Sequence, residues 1–442
     1  MSTPLLDETR FAAALRAAAP QRVGAVSATV GLTVDVVGLP GSVGDLVTIG
    51  EGPTATVAQI VATRPGTVSC MALTGGAAHP AGTPARRALI PPAIPVGPSL
   101  LGRIIDGLGR PIDGRGPLGA SETVGVDNSA PNPMDRARIA HPLQLGVRVL
   151  DTLVTVGQGQ RIGLFAGSGV GKSSLLSMIA RGTEAEVSVI ALIGERGREV
   201  REFIEDDLGA AGLARSVVVV ATSDEPALMR LRAAMLATRI AEWHRDRSAN
   251  VLLMMDSLTR VAMAQREIGL SAGEPPATRG YPPSTFSTLA RLLERAGTGP
   301  SGSITGIYTV LVDGDDHNEP IADAARSILD GHVVLDRALA VTGHFPAIDV
   351  LGSVSRLASK VTAPEQRDDA TALRAVLAAR RSAQDLIDVG AYRTGANARV
   401  DAALRAERAI DAFLRQRIDE RTTAADAWHA LHTVTEQFGA AA

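Results

Sequence analysis

The chain has 442 residues, more than one hydrophobic core usually serves, so two or three domains are expected. Hydrophobic residues make up 45% and charged residues 21%, which excludes an intrinsically disordered chain. The formal net charge of −3 argues against a global basic field for nucleic acid, and the single cysteine, Cys70, excludes an internal disulfide and a cysteine-ligated metal cluster.

The first segment, residues 1–22, predicts one short helix with Phe11 and Leu15 a turn apart. So short a helix is marginal alone, and a frayed terminus and a partner-binding helix are equally compatible with it. It lacks the basic start and apolar run of a secretory signal. No apolar run elsewhere reaches the length of a bilayer span. We therefore expect a cytoplasmic protein, in which any association with a membrane runs through a partner.

Residues 23–93 contain short Val/Thr/Ile runs separated by Gly, Pro and Asp, which predicts a small β-barrel or sandwich. The stretch has no Phe, Tyr or Trp, whereas a barrel that binds single-stranded nucleic acid normally needs aromatic platforms. An assembly module is therefore the preferred interpretation. The predicted strands are 25–30, 33–37, 46–49, 56–62 and 67–72.

Residues 94–362 follow a proline-rich boundary at 91–95 and begin with a turn-rich linker at 98–117. Apolar runs and helical patterns then alternate, which predicts an α/β domain with a mostly parallel sheet. From 363 to 442 the strands stop and helical stripes predict a small bundle. The predicted sheet strands are 161–165, 187–193, 217–221, 251–255, 304–312 and 332–335. The stripes are Leu373, Val376, Leu377, Ala383 and Leu386, then Val400, Ala403, Ile410 and Phe413, then Trp428, Leu431 and Phe438.

A glycine-rich loop at 166–173 follows the first sheet strand and opens a helix. Its glycines let backbone N–H groups turn toward phosphate oxygens at a helix N-terminus that favours anions. Lys172 can reach the β- and γ-phosphates, and the Ser173 hydroxyl can bind Mg²⁺. The loop therefore predicts Mg²⁺-dependent hydrolysis of a nucleoside triphosphate, ATP in the first place. The predicted nucleotide contacts are Gly167, Ser168, Gly169, Val170, Gly171, Lys172, Ser173 and Ser174.

Two further strands end in carboxylates. The carboxyl ends of strands in an open α/β sheet face the ligand crevice, so Asp256 is predicted to hold the Mg²⁺. Hydrolysis needs a carboxylate near the γ-phosphate to orient or deprotonate water, and Glu195 is the candidate. Glu199, one turn further, is a predicted outer metal ligand. Taken alone, Asp256 could instead cap a helix, and residues 194–199 could be a solvated charge cluster.

Several segments together resemble the rotary and secretion ATPases, a family that includes the catalytic subunit of ATP synthases and the ATPases of type III export. The resemblance extends from about residue 23 to 400 and is nearest to the flagellar export branch, with injectisome ATPases sharing much of it. It implies an N-terminal β-barrel, a central RecA-like domain with a phosphate-binding loop, and a C-terminal helical domain. The segments are residues 99–118, 165–173, 194–199, 252–260, 273–297, 302–316, 318–337 and 346–356.

The resemblance also implies roles for charged residues. Glu195 corresponds to the catalytic glutamate, with Arg196 and Glu199 as its neighbours in the site, and Arg260 to the arginine after the metal-binding aspartate. Arg356 corresponds to the arginine that an adjacent subunit supplies to the γ-phosphate, an interaction worth roughly 10³–10⁵ in rate. An ordinary interface salt bridge is the alternative for Arg356.

For the base, the resemblance implies that Phe345 stacks on adenine and that Tyr392 is a weaker contact. Two positions depart from the common pattern: Ala166 stands at the head of the loop where glycine is usual, and Asn397 stands where the family usually has Asp. Ala166 is interpreted as a mark of the export branch.

The implied assembly is a homohexamer that energises export of flagellar proteins. The implied partners are a regulatory stator protein at the N-terminal helix, a coiled-coil stalk at the helical domain, the membrane export gate, and export substrates with their chaperones; nucleic acid is not among them. Four alternatives stay open: an injectisome ATPase, a non-catalytic rotary subunit, an ATP synthase catalytic subunit, and an RNA-translocating hexamer. Glu195 argues against the non-catalytic subunit, and the aromatic-free barrel argues against the RNA translocase.

Overall fold

The computed structural model describes residues 22–75, 79–88, 93–119, 122–312 and 319–439. The chain divides into two compact units: one is the part before residue 93 together with Ile268–Glu274, and the other is the remainder. The predicted N-terminal helix lies outside the described residues, except for Arg22. Within the described ranges, no helix combines the length and apolarity that a membrane crossing requires.

Six antiparallel strands of the first unit close into a barrel, in the order β1-β2-β5-β4-β3-β6. Alternate side chains of these strands point inward and form an aliphatic core, as expected for a barrel with one buried face. Cys70 lies in this core, where burial, and secondly the charge of Asp35, raises the pKa of its thiol to about 12. The strands are β1 Val23–Val30, β2 Thr33–Val37, β3 Leu46–Ile49, β4 Thr56–Arg64, β5 Thr67–Ala72 and β6 Pro84–Arg87.

The central sheet of the second unit is mostly parallel and runs in the order β17-β16-β10-β15-β13-β11-β12-β8, with β14 paired to β15. Pairing is antiparallel at β14–β15 and at β16–β17. A separate antiparallel pair joins β7 and β9. These strands are β7 Ala93–Val96, β8 Ile104–Asp106, β9 Glu122–Gly125, β10 Arg161–Ala166, β11 Val187–Glu195, β12 Ser216–Thr222, β13 Asn250–Asp256, β14 Gly297–Thr298, β15 Ser303–Leu311, β16 Gly331–Leu335 and β17 Val354–Ser355.

The segment 98–117 is not only a turn-rich linker. Ile104–Asp106 forms β8, which extends the sheet by pairing in parallel with β12. The strand escapes sequence prediction because it is three residues long and flanked by glycine-rich turns. The carboxylate of Asp106 accepts hydrogen bonds from the backbone N–H groups of Leu108 and Arg110, which closes the turn after it.

Helices cover both faces of the central sheet, and residues of the same strand alternate between two cores. Leu164 and Leu252 belong to the core that also contains residues of the C-terminal helices, whereas Phe165 and Leu253 belong to the opposite core. The helices are α1 Arg148–Thr152, α2 Lys172–Gly182, α3 Gly197–Glu202, α4 Gly209–Ala214, α5 Ala227–Arg245, α6 Leu258–Ser271, α7 Pro283–Glu294, α8 Pro320–Ile328 and α9 Arg337–Val341. A π-helical stretch, Phe203–Leu208, links α3 to α4.

The C-terminal part is helical, as predicted, and its apolar stripes pack against the sheet. Leu373, Phe413 and Leu431 are all buried in the core shared with the central sheet. The second predicted stripe is divided between two helices, and Leu386 at the end of the first stripe is exposed. The helices are α10 Ala358–Val361, α11 Pro364–Ser382, α12 Gln384–Asp388, α13 Ala398–Arg405, α14 Glu407–Leu414 and α15 Ala424–Glu436.

Candidate functional site

The glycine-rich loop connects the buried end of β10, at Ala166, to the first residue of α2, Lys172. Gly169 and Gly171 have φ values of 77° and 88°, in the left-handed region that L-residues rarely adopt. These two turns leave the first backbone N–H groups of α2 at the carboxyl edge of the sheet, where an anion is favoured by the helix dipole. The loop geometry is therefore that of a phosphate-binding loop.

Three charged side chains meet beside this loop. Lys172 Nζ lies 2.6 Å from Asp256 Oδ1 and 3.3 Å from Glu195 Oε1. The side chains are 13%, 7% and 13% exposed, respectively. The hydroxyl of Thr309 donates a hydrogen bond of 2.6 Å to the same oxygen of Asp256. β10, β15, β13 and β11 are consecutive in the sheet. β15, β13 and β11 supply Thr309, Asp256 and Glu195 near their carboxyl ends, whereas Lys172 begins α2 after the loop that follows β10.

Burial and charge work against each other in this cluster. Burial alone lowers the pKa of Lys172, but the charges of Asp256 and Glu195 outweigh it and the net pKa is raised. The pKa of Glu195 is raised, first by burial and then by the charge of Asp256, while Lys172 and Arg260 oppose the shift. Glu195 is therefore a stronger base than an exposed glutamate, which suits a group that accepts a proton from water.

A cavity of about 570 Å³ opens over the loop and the charged cluster. This volume falls within the range of small-molecule sites. Arg260 packs closely on Gly194, where an added Cβ would lie 3.0 Å from the Cβ of Arg260. Its Nε is buried and has no hydrogen-bond partner among the described residues. The lining residues are Ala166, Gly167, Ser168, Gly169, Gly171, Lys172, Ser173, Ser174, Glu195, Arg196, Glu199, Arg260, Leu311 and Val312.

The other residues predicted near the loop lie at the rim of this cavity, in the core beneath it, or along its wall. Arg196 is exposed and forms an ion pair of 3.1 Å with Glu199 at the rim of the cavity. Val170 is buried in the core and contributes its backbone to the loop rather than a side chain to the cavity. Ser173 and Ser174 occupy the first turn of α2 and line the cavity.

A second cavity, of about 740 Å³, lies beside the loop and contains Phe345. Phe345 is 45% exposed, and its ring lies against Gly171, where an added Cβ would be 3.2 Å from the ring. Phe413 and Gln416 line the other side. The Gln416 amide accepts a hydrogen bond from Arg148 N and donates one to the Gly146 carbonyl. An exposed aromatic face next to a phosphate loop fits a planar base.

Tyr392 and Arg356 lie apart from the charged cluster and from both cavities. Tyr392 lines a separate cavity among the C-terminal helices, and its hydroxyl donates to the Asp401 carboxylate at 2.9 Å, so this side chain is held away from Phe345. Arg356 is exposed just after the edge strand β17, and its guanidinium donates to the Arg326 carbonyl at 3.1 Å. The structure does not bring Arg356 to the cavity of its own chain.

Thr309, Phe413 and Gln416 were not predicted from the sequence as site residues, and the structure gives a reason for the asparagine at position 397. Thr309 is a fully buried polar residue in an apolar strand that ends beside the loop, a signal that could have identified it. Phe413 and Gln416 carry no such signal because their proximity to the loop depends on how the helices pack. Asn397 caps α13 by accepting hydrogen bonds from Arg399 N and Val400 N, a task for which Asn and Asp are about equally suited.

The residues at the loop fit Mg²⁺, which prefers oxygen ligands and usually binds through one or two protein groups plus substrate phosphates. The Ser173 hydroxyl and the Asp256 carboxylate are such oxygen donors. The Lys172 ammonium already lies against Asp256, which shows that this carboxylate accepts a cation, and Ser173 and Lys172 both line the cavity.

Family comparisons agree with this geometry. Residues 146–355 match the family described as ATP synthase alpha/beta family, nucleotide-binding domain, and residues 362–433 match the T3SS EscN ATPase C-terminal domain. The chain is 50% identical over 419 residues to the flagellum-specific ATP synthase of Bacillus subtilis (strain 168), covering 94% of this chain and 95% of the relative. It is 48% identical over 440 residues to the type 3 secretion system ATPase of Xanthomonas euvesicatoria, covering 98% and 99%.

Solved structures give the same result. The assembled ATPase EscN from the type III secretion system of enteropathogenic E. coli matches with a TM-score of 0.88 at 42% identity, covering 93% of this chain and 100% of that chain. A structure of assembled EscN in complex with its central stalk EscO matches with a TM-score of 0.86 at 41% identity, with the same coverage.

Proposed function

Because the chain belongs to the ATP synthase alpha/beta family, and within it to the flagellar and type III secretion ATPases, it is an ATPase, and we propose that it energises export of flagellar proteins. The observation that carries the mechanism is the buried cluster of Lys172, Glu195 and Asp256 at the mouth of the phosphate loop. Such a cluster holds a cation and a base where the γ-phosphate of a bound nucleotide would lie.

In the proposed mechanism, phosphates enter between the N–H groups of the loop and draw the Lys172 ammonium away from the two carboxylates. Asp256 and the Ser173 hydroxyl would then hold Mg²⁺, and Glu199 would support its outer shell. Mg²⁺ bound there would neutralise charge on the phosphate oxygens. Thr309, by donating to Asp256, keeps that carboxylate in one orientation.

Glu195 then orients the attacking water and accepts its proton. Two features support this role: burial raises the pKa of Glu195, and its carboxylate stands 3.3 Å from the Lys172 ammonium that would contact the γ-phosphate. The Arg196–Glu199 pair at the rim and the Arg260 guanidinium complete the polar wall. Phe345 stacks on adenine, with Phe413 across the same cavity.

We further propose that the catalytic unit is a ring, with six subunits as its size, in which Arg356 of one subunit reaches the γ-phosphate bound by the next. The exposed position of Arg356, away from its own cavity, supports this arrangement. The solved assembly of a relative with its central stalk supports a stalk partner at the helical domain of this chain. The other proposed partners are a stator protein at the N-terminal segment, the export gate, and export substrates with their chaperones. With these partners the ring would lie at the cytoplasmic face of the inner membrane.

The test of hydrolysis compares Glu195→Gln with Glu202→Gln, a matched change of an exposed glutamate on α3 that pairs with Arg198. We expect Glu195→Gln to lower kcat by about 10²–10⁴-fold, the usual contribution of a general base, and Glu202→Gln to leave kcat unchanged. Specific activity should also rise with protein concentration as rings assemble. Unchanged turnover in Glu195→Gln would contradict the assigned mechanism.

A test in the host cell shows which export system the protein serves. Replacing the gene by a Lys172→Ala version should stop secretion of flagellin and hook protein while leaving their synthesis intact. The similarity to the Xanthomonas relative keeps an injectisome role as the second candidate. Normal flagellar secretion combined with loss of another secreted set would support that candidate instead.

A further inference from the structure

Two arginines of α11 hold the segment 349–353, which precedes Arg356 in the chain. Arg374 donates hydrogen bonds of 2.7 Å to the Val350 carbonyl and 3.1 Å to the Ser353 carbonyl. Arg381 forms an ion pair with the Asp349 carboxylate at 2.6 Å. The segment is therefore fastened to the helical domain at both its ends.

Arg374 holds the segment more firmly than Arg381 does. Its guanidinium also donates 2.8 Å to the carbonyl of Leu153, just after α1, so that one side chain joins the helical domain, the sheet domain and the segment. Burial lowers the pKa of Arg374 and makes its charge costly unless its N–H groups are satisfied. The Arg381 side chain is 58% exposed, and exposed ion pairs contribute little.

Hydrogen bonds and strand pairing connect the segment 349–353 to Arg356. The Ser353 hydroxyl donates to the Asp349 carbonyl at 2.6 Å and accepts from Val334 N at 3.0 Å. The next two residues form β17, which pairs with β16. At Gly331 on β16, an added Cβ would lie 2.4 Å from the Val354 carbonyl, so this pairing is tight. Arg356 follows β17 directly and lies three residues after Ser353, whose carbonyl accepts a hydrogen bond from Arg374.

We propose that Arg374 is a positioning residue: it couples the helical domain to the orientation of Arg356 and so acts on the active site of the neighbouring subunit. This inference rests on the proposed shared site. It assigns to the helical domain a direct path to catalysis, because any tilt of α11 that moves the Arg374 guanidinium pulls on two carbonyls of the segment. A displacement of about 1 Å in a reacting group can cost about 10²-fold in rate.

The test begins with Arg374→Met, which keeps most of the side-chain volume but removes the donors. Arg380→Met is the matched control on the same helix, since Arg380 pairs with Glu407 and not with the segment. We expect Arg374→Met to lower kcat by about 10²-fold with little change in KM for ATP, and Arg380→Met to keep both. Arg374→Lys, which keeps the charge without the planar fork, should fall between them. Wild-type kcat in folded Arg374→Met would overturn the proposal.

Mixed rings separate a positioning role from a general loss of structure. Arg374→Met and Glu195→Gln subunits, carrying different tags, are co-expressed and purified through both tags. A site whose phosphate loop comes from the Arg374→Met subunit then receives an intact Arg356 from its Glu195→Gln neighbour. Activity should therefore exceed the mean of the two separate variants. A second mixture, of Arg356→Ala with Glu195→Gln, reports on the shared site itself.

The two mixtures distinguish the possible failures. Recovery in both supports the proposal. Recovery in the Arg356→Ala mixture alone overturns the role of Arg374 but leaves the shared site standing. No recovery in either mixture overturns the shared site, and the proposed action of Arg374 with it.

Discussion

Lys172, Glu195 and Asp256 lie buried together beside the phosphate loop, whereas Arg356 lies exposed beyond the edge strand β17. The charges of the first set contact one another within the chain, where the Lys172 ammonium lies against both carboxylates. Arg356, by contrast, has no carboxylate partner among the residues the structure describes, and its side chain contacts a backbone carbonyl. In the proposed shared site, each chain would thus complete the binding half by itself and present the remaining charge to another subunit.

The largest expected effect comes from removing that exposed charge. Arg356→Ala should lower kcat by roughly 10³–10⁵-fold, because an arginine supplied from outside acts on the transition state. KM for ATP should change little, since the phosphate-binding half is untouched. Steady-state kinetics at ring-forming concentration measures both constants.

Arg356→Lys serves as the control for that measurement. It keeps the charge but cannot form a bidentate contact, so its kcat should lie between wild type and Arg356→Ala. Equal kcat in all three proteins would contradict a catalytic role for Arg356.

A smaller effect is expected in the base cavity. Phe345→Ala removes the aromatic face beside Gly171, and an aromatic stack contributes about 0.5–1.5 kcal/mol. KM for ATP should therefore rise about two- to tenfold while kcat is retained. Phe345→Tyr keeps the ring and should leave KM unchanged. A loss of kcat without a rise in KM would place Phe345 in the transition state rather than in base binding.

The smallest effect concerns pH. In the proposed mechanism Glu195 acts in its ionised form, so turnover should fall as pH drops through its pKa, which burial raises and the charge of Arg260 lowers. Arg260→Gln removes a lowering influence, and the acidic limb of the kcat/KM profile should move to higher pH. Arg198→Gln, an exposed change that affects only a surface pair with Glu202, should leave the limb in place. A shift toward lower pH in Arg260→Gln would contradict Glu195 as the base.

The parts of this molecule that are local in sequence could be predicted. The apolar runs at 161–165 and 251–255 appear as β10 and β13, extended to Ala166 and Asp256. β6 was missed because it begins with proline and contains two arginines, and its strand character depends on pairing with β1 and β3. Hydrophobic pattern cannot report a strand that its neighbours create.

The site divides in the same way. Lys172 and Asp256 could be placed from the loop and from a strand end, because both lie on elements with strong local signals. Contacts such as Thr309 with Asp256 join residues 53 apart, and Arg374 with Leu153 joins residues 221 apart. These contacts depend on the order of strands and the packing of helices, which spacing along the chain does not encode.

The buried thiol of Cys70 has a practical consequence for following the ring at work. Thiolate is the form that alkylating dyes attack, and a pKa of about 12 together with complete burial leaves almost none of it at neutral pH. Maleimide reagents should therefore leave Cys70 of the native chain unlabelled, so this cysteine need not be removed before labelling. A cysteine introduced at Ser359, which is exposed on α10, would carry a single fluorophore, and energy transfer between neighbouring subunits could then be recorded during turnover.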